Sequence, residues 1–297
     1  MAGDPQRKAE NDTMTWTLSA FADEAGPTCD AQIEALKKAG LTHVDLRSVD
    51  EHNICALPAK NAKQIRRKLD EAGIQVLMFG SPIGKIDIAD DFQIDLERLA
   101  HLGRLRPILG CSNVRLFSYY NKNGADAATW QKEALERLGL LRDRARKLGL
   151  VLYHENERLI FGDRCPEIQV LAEQLRDEET FRLIFDFDNF NQSGDDVWNN
   201  WQKLRDCTDA FHLKDSDDQN RHVPVGCGQG RVREILADAT RRGWTGPLSI
   251  EPHLGRSKAV MATGPHGNPD ESFANMSEAQ SFHVAATTAV ELVREVS

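Results

Sequence analysis

The sequence predicts an α/β fold of one specific kind: a closed (β/α)8 TIM barrel in a single domain. Three observations carry this. Five segments share one order, a helical pattern, a glycine and then a short apolar run: KKAGLTHVDL, DEAGIQVLMF, ILGCSNVRLF, RKLGLVLYHE and RRGWTGPLSI. A glycine just past a helix takes the left-handed conformation cheaply and stops the helix, so each segment reads as helix, stop, strand. The apolar runs are nearly continuous rather than alternating, as in a parallel sheet whose outer face is covered by helices. Eight such runs can be placed along the chain, which suits a closed barrel. An open dinucleotide-binding sheet would carry a glycine fingerprint after its first strand, and that turn reads ADEAGPTCD with one glycine.

In chain order, the first strand is expected near Thr17–Ala22, followed by a helix over Asp30–Ala39 with Ile33 and Leu36 on one face. The second strand lies near His43–Arg47, before a helix over Lys60–Ala72 that aligns Ile65 and Leu69. The third and fourth strands fall near Gln75–Gly80 and Asn113–Tyr119, and Asp126–Lys147 reads as a long amphipathic helix. Strands five to eight are expected near Val151–Glu155, Leu183–Asp186, Ala210–Leu213 and Leu248–Glu251, with a helix over Val232–Arg242 before the eighth. Residues 252–276 form a long irregular loop, a length that suggests a lid or contact arm. The last helix starts at Ser277, where Ser277 and Gln280 fit a capping box. The polar residues 1–13 are expected to be a disordered extension, and residues 14–297 the barrel.

Composition narrows the function. Hydrophobic residues at 40% and charged residues at 28% fit a globular protein, and no apolar run approaches the roughly 18 residues a membrane span needs. The net charge of −9 argues against a nucleic-acid partner gripped through its phosphates. The six scattered cysteines show no CxxC spacing, so reduced thiols and a cytoplasmic location are expected, without a zinc–thiolate site.

The chemistry concentrates at strand ends. In a barrel the active site forms where the strands end. LVLYHEN ends in Glu155, LIFDFDN in Asp186, DAFHLKD in His212 and PLSIEPH in Glu251, each about one βα unit apart. A single acid in such a place is most often a helix cap or a loop ion pair. Four metal-competent residues in succession ask for more, because three uncompensated carboxylates would repel and raise one another's pKa. A divalent cation resolves that, and an oxygen-rich set with one nitrogen suits Mn²⁺, Co²⁺ or Mg²⁺ and tolerates Zn²⁺. The spacing leaves one ambiguity: Asp188, two residues beyond Asp186 on the same strand side, could be the ligand or a cap.

These residues resemble the xylose isomerase-like TIM-barrel superfamily, in particular its sugar phosphate isomerase/epimerase branch. The resemblance runs from Thr17 to the final helix through HVDLRSV, SPIGKI, VRLFSYY, YHEN, FDFDNF, FHLKD, PVGCGQG and SIEPH. It implies that Glu155, Asp186, His212 and Glu251 bind one divalent metal, and it selects Asp186 because Asn189 follows three residues later. It also implies that PVGCGQG lines the substrate mouth, with Arg231 a substrate contact. The residue departures are the N-terminal extension and the loop 252–276.

The expected activity is a divalent-metal-dependent isomerase or epimerase acting on a keto sugar, polyol ketone or related small molecule through an enediolate, with a homo-oligomeric assembly. Glu155 and Glu251 are the expected bases, although both are also ligands; His154 and His253 are alternative bases. Lys85 and Arg115, after strands three and four, are candidate substrate contacts or rim ion pairs, and His222 is expected at the surface. Gly226, Gly228 and Gly230 before the helix at 232 raise a phosphate-binding alternative, but a turn-forming role is expected instead. Competing activities are dehydration from the same carbanion, hydrolysis at abasic DNA, which the charge disfavours, and non-catalytic sugar binding.

Overall fold

A computed structural model of the chain describes residues 16–255, 257–261, 268–269, 271–273 and 275–297. The expected extension over residues 1–13 lies outside these described residues. Eight parallel strands close into a barrel: β1 (Leu18–Ala20), β2 (His43–Leu46), β3 (Gln75–Phe79), β4 (Asn113–Leu116), β5 (Val151–Glu155), β6 (Phe181–Asp186), β7 (Ala210–Leu213) and β8 (Leu248–Ile250). Neighbours in the barrel are neighbours in sequence, and β8 closes on β1 through Leu18↔Leu248, Ser19↔Ser249 and Ala20↔Ile250. The whole is one TIM-barrel domain.

The helix–glycine–strand order has the expected mechanism. Gly73, Gly110 and Gly149 stand at the ends of the helices Ala59–Ala72, Gln93–Leu109 and Ala127–Leu148 with φ of 72°, 69° and 66°. Some helix starts are capped by side chains: Asp126 accepts from the amide of Thr129, and Ser277 and Gln280 form the reciprocal capping box of the helix Glu278–Val296.

Period-two alternation sorts the strands into two faces. The outward face packs on the helices and builds the main core, with Leu152, Leu183, Phe185, Phe211, Leu213, Leu248 and Ile250 all buried. The inward face starts apolar at the barrel floor, where Met78, Tyr153, Ile184 and Ala210 form a small separate cluster. Farther along the same faces the residues become polar. Ser19 donates to Asp45 Oδ2 at 2.6 Å and lies 3.2 Å from the Ser249 hydroxyl. The next inward positions are Glu155, Asp186 and His212.

Residues 252–276 are not structureless throughout. Among the described residues they hold a short helix, Lys258–Met261, and an extended pair, Asn268–Pro269. That pair runs parallel to Arg221–His222, extending a hairpin made by Asp215–Ser216 and Arg221–Val223. All six cysteines are free, and no described helix is long and apolar enough to cross a membrane.

Candidate metal centre

Glu155, Asp186, His212 and Glu251 meet at the C-terminal mouth. Each offers one ligand atom, all four residues are buried, and the four atoms lie within 4.8 Å of one another. The strand register delivers this: Asp186 pairs with His212, and His212 with Ser249, two residues before Glu251. His212 Nδ1 faces the acids, 3.1 Å from Glu155 Oε1 and 3.8 Å from Glu251 Oε2.

Local hydrogen bonds fix the carboxylates. Asn156 clamps the Asp186 backbone, accepting from its amide at 2.8 Å and donating to its carbonyl at 3.1 Å. Asp186 Oδ1 accepts from the Asn189 amide at 2.8 Å, capping the short helix Phe187–Gln192, which leaves Oδ2 for the centre. Asn189 Nδ2 donates to Glu155 Oε1 at 3.3 Å. Asp188 turns elsewhere: its Oδ2 accepts from Gln192 at 2.6 Å and lies 3.1 Å from His222 Nδ1.

Three buried cations border the quartet. Arg115 Nη1 lies 3.3 Å from Glu155 Oε2 and 3.2 Å from Glu251 Oε1. Arg47 Nη1 is 3.3 Å from Glu251 Oε1 while its other nitrogens hold Asp23 and Glu24. Lys214 Nζ is 3.1 Å from Asp186 Oδ2 and 3.2 Å from Glu251 Oε2. Their effect is uneven. Burial pushes the Glu155 carboxyl up, but His212 and Arg115 outweigh it and hold it at about 2. Glu251 is likewise held well below the usual range against its burial, by Lys214, His253 and Arg115. Asp186 goes the other way: burial, with the charges of Glu155, Glu251 and Asp188, raises it well above the usual value despite Lys214. The surrounding cations therefore compensate two acids fully and the third poorly.

That shortfall is what a divalent ion would correct. Glu155 Oε2 and Asp186 Oδ2 have only the ion-pair contacts of Arg115 and Lys214, and neither oxygen nor either His212 ring nitrogen takes part in a well-directed hydrogen bond. Donor atoms sit about 2.0–2.2 Å from an ion such as Zn²⁺, so the observed spread needs only a small contraction around one cation. The residues fit the group.

The other sequence candidates disperse. Lys85 pairs with buried Glu157 at 2.7 Å and lies over the Phe117 ring at 4.3 Å, beside Arg115 on the same ring. His154 faces the opposite side of β5 from Glu155. It is 2.8 Å from the Ser118 hydroxyl and stacks on Phe181, and burial lowers its pKa to about 3. His253 Nδ1 is 2.9 Å from Glu24 Oε1, and burial holds its pKa well below the usual histidine value. Arg231 is not brought to the centre; it is exposed and pairs with Glu234 at 3.3 Å. His222, expected at the surface, is instead 1% exposed, with its ring edge on His253.

The glycine loop is also resolved. Asp215 sits inside it and accepts from the amides of Gly226, Gly228 and Gly230, each at 2.9 Å. The chain's own carboxylate fills the cradle, consistent with a turn-forming role.

Arg47, Lys214, Asn156 and Glu24 were not singled out from sequence. A signal for Lys214 existed: it stands two residues beyond His212, and strand alternation turns both to the same face. Arg47 and Glu24 lie in short turns after β2 and β1, where no period fixes direction.

The model of the xylose isomerase-like TIM barrel family matches residues 33–277. No curated protein matches the chain in sequence. Among solved structures, the IOLI protein with a bound zinc atom superposes with a TM-score of 0.72 at 14% identity, covering 95% of this chain and 99% of that one. D-psicose 3-epimerase in the presence of D-fructose gives 0.69 at 17% identity, covering 94% and 99%. The probable 3-DHS dehydratase AsbF from Bacillus anthracis gives 0.67 at 13% identity, covering 93% and 98%. At these identities the likeness is one of fold.

Proposed function

The chain belongs to the xylose isomerase-like TIM barrel family, and from that premise we propose that it is a divalent-metal-dependent isomerase or epimerase of a keto sugar, polyol ketone or related small molecule. The observation that carries this is the buried quartet itself: three acids and an imidazole on four consecutive strands, their ligand atoms within 4.8 Å of one another. Glu155, Asp186, His212 and Glu251 hold the ion, with Mn²⁺, Co²⁺ or Mg²⁺ best suited to the donor set and Zn²⁺ tolerated. When bound, such an ion polarises a carbonyl and neighbouring hydroxyl and offsets the charge of an enediolate.

The remaining work falls to the side chains. Glu155 and Glu251 come from β5 and the end of β8, so they approach a substrate in the mouth from different sides. Either glutamate would exchange a proton at the carbon beside the carbonyl through a carboxylate oxygen that also meets a neighbouring cation or the His212 ring. Arg115 touches both glutamates and helps keep them ionised, the form that can accept a proton, inside a buried site. Lys85 and Glu157, at the rim over Phe117, are placed to hydrogen-bond hydroxyls farther along a polyol.

Dehydration starts from the same proton abstraction, and one fold neighbour is a probable dehydratase. The reading is tested by incubating the Mn²⁺-loaded protein in D2O with a panel of ketoses that includes D-fructose and D-tagatose. Deuterium should enter at the carbon next to the carbonyl, and Glu251→Gln should slow this at least about 100-fold. Full exchange in that variant removes Glu251 from the mechanism. An alkene or enone product in place of an epimer assigns the lyase activity.

A further inference from the structure

Lys214 is set apart from the other cations of the centre by what it touches. Arg47 is anchored by Asp23 and Glu24, and Arg115 rests on the faces of Phe21 and Phe117, so both keep partners of their own beside the quartet. Lys214 is 3% exposed, and its ammonium lies close to three side-chain oxygens, two by hydrogen bonds and one by an ion pair. Two of these are Asp186 Oδ2 at 3.1 Å and Glu251 Oε2 at 3.2 Å; the third is Asn189 Oδ1 at 3.1 Å.

The identity of those oxygens matters. Asp186 Oδ1 is committed to the Asn189 amide, so Oδ2 is the oxygen that faces the centre. Glu251 Oε1 is already shared by Arg47 and Arg115, which leaves Oε2 as its less engaged oxygen. Lys214 therefore occupies, on two of the four ligands, the atoms that a metal ion would take. A carboxylate oxygen cannot serve a dication at full strength while also binding an ammonium, and two cations so close repel strongly in a dry site.

We propose that Lys214 is a tethered competitor for the metal ion, which fills the carboxylate oxygens of Asp186 and Glu251 in the ion-free protein and gives them up when the ion enters. This rests on the metal reading of the quartet. Asn189 Oδ1 is the acceptor that stays with the displaced ammonium, so the lysine remains in the mouth. The device supplies part of the positive charge that the three buried acids need without metal, and it sets the affinity for the ion below what the ligand set alone would give.

The test is a Co²⁺ titration of the full-length protein, read by visible absorption in competition with a chelator. Lys214→Met should bind Co²⁺ at least about tenfold more tightly than wild type, because a like charge has been removed next to the ion. Equal or weaker binding overturns the proposal, since it makes Lys214 a brace for the ligands rather than a rival. Should Lys214→Met fail to fold, the wild-type protein decides: the ¹H–¹⁵N signal of the Lys214 ammonium, assigned by its loss in Lys214→Arg, should shift on adding Zn²⁺. A signal unchanged while Zn²⁺ saturates the site overturns it equally. If wild type binds neither ion at all, the metal reading fails first and the competitor role falls with it, a result distinct from tight binding that the substitution leaves unaltered.

Discussion

His154 and Glu155 are adjacent in sequence and serve opposite environments. The strand turns Glu155 to the barrel interior and His154 to the packed layer behind it, where the ring lies between Ser118 and Phe181. Burial lowers the His154 pKa to about 3, so the imidazole stays neutral in the folded protein. The unfolded chain takes up that proton near pH 6.5, so the stability tied to this residue is complete above 6.5 and is lost as the pH falls toward 3. At pH 4.5 the loss is about 2–3 kcal/mol. Urea unfolding at pH 7.5 and 4.5 should therefore show a smaller acid-induced loss in His154→Asn than in wild type. An identical loss would mean that the ring is already charged in the fold.

At the scale of elements, the hairpin and glycine loop after β7 are built around one carboxylate. A Cβ on Gly228 would fall 2.3 Å from the Ser216 carbonyl and 2.4 Å from Asp215 Oδ1, so the loop cannot close around Asp215 with a larger residue there. Gly228→Ala should cost about 1–3 kcal/mol and expose the amides of Gly226 and Gly230 to hydrogen exchange. Gly139, inside the helix Ala127–Leu148 with nothing near its missing Cβ, is the control: Gly139→Ala should stabilise by up to about 1 kcal/mol. The elements themselves were largely legible in the sequence, because glycine stops and apolar runs report local rules. Asp126–Lys147 was expected as a helix, and the structure gives Ala127–Leu148 with Asp126 as the cap. The quartet was legible for the same reason, since each member ends a strand of recognisable pattern. What local alternation does not cover was lost: Arg47 sits in a short turn, and His222 in the hairpin strand Arg221–Val223, and tertiary packing sets the direction of both. Arg231, which the resemblance implied as a substrate contact, lies exposed beside Glu234, at a positive φ of 56°.

For the whole molecule, an ion held as proposed would link the centre to the stability of the fold. An ion that binds the assembled quartet and not the unfolded chain raises stability by about 2.7 kcal/mol at 100 times its Kd. For a chain of this size, that is a rise in Tm of about 4–5 °C. Scanning calorimetry with and without excess Mn²⁺ should show it, and Asp186→Asn should abolish most of it. An unchanged Tm in wild type at saturating Mn²⁺ would deny the coupling.

Barrel closure carries one more consequence, for biosynthesis. Glu251 follows the strand that zips onto β1, so the fourth ligand arrives together with the seam. A nascent polypeptide still missing that last stave has neither a sealed ring nor a complete coordination set. On the proposed metal reading, four-ligand capture of a cation would await the end of translation, and prematurely terminated products would offer no more than three of the four ligands however well their earlier portions collapse.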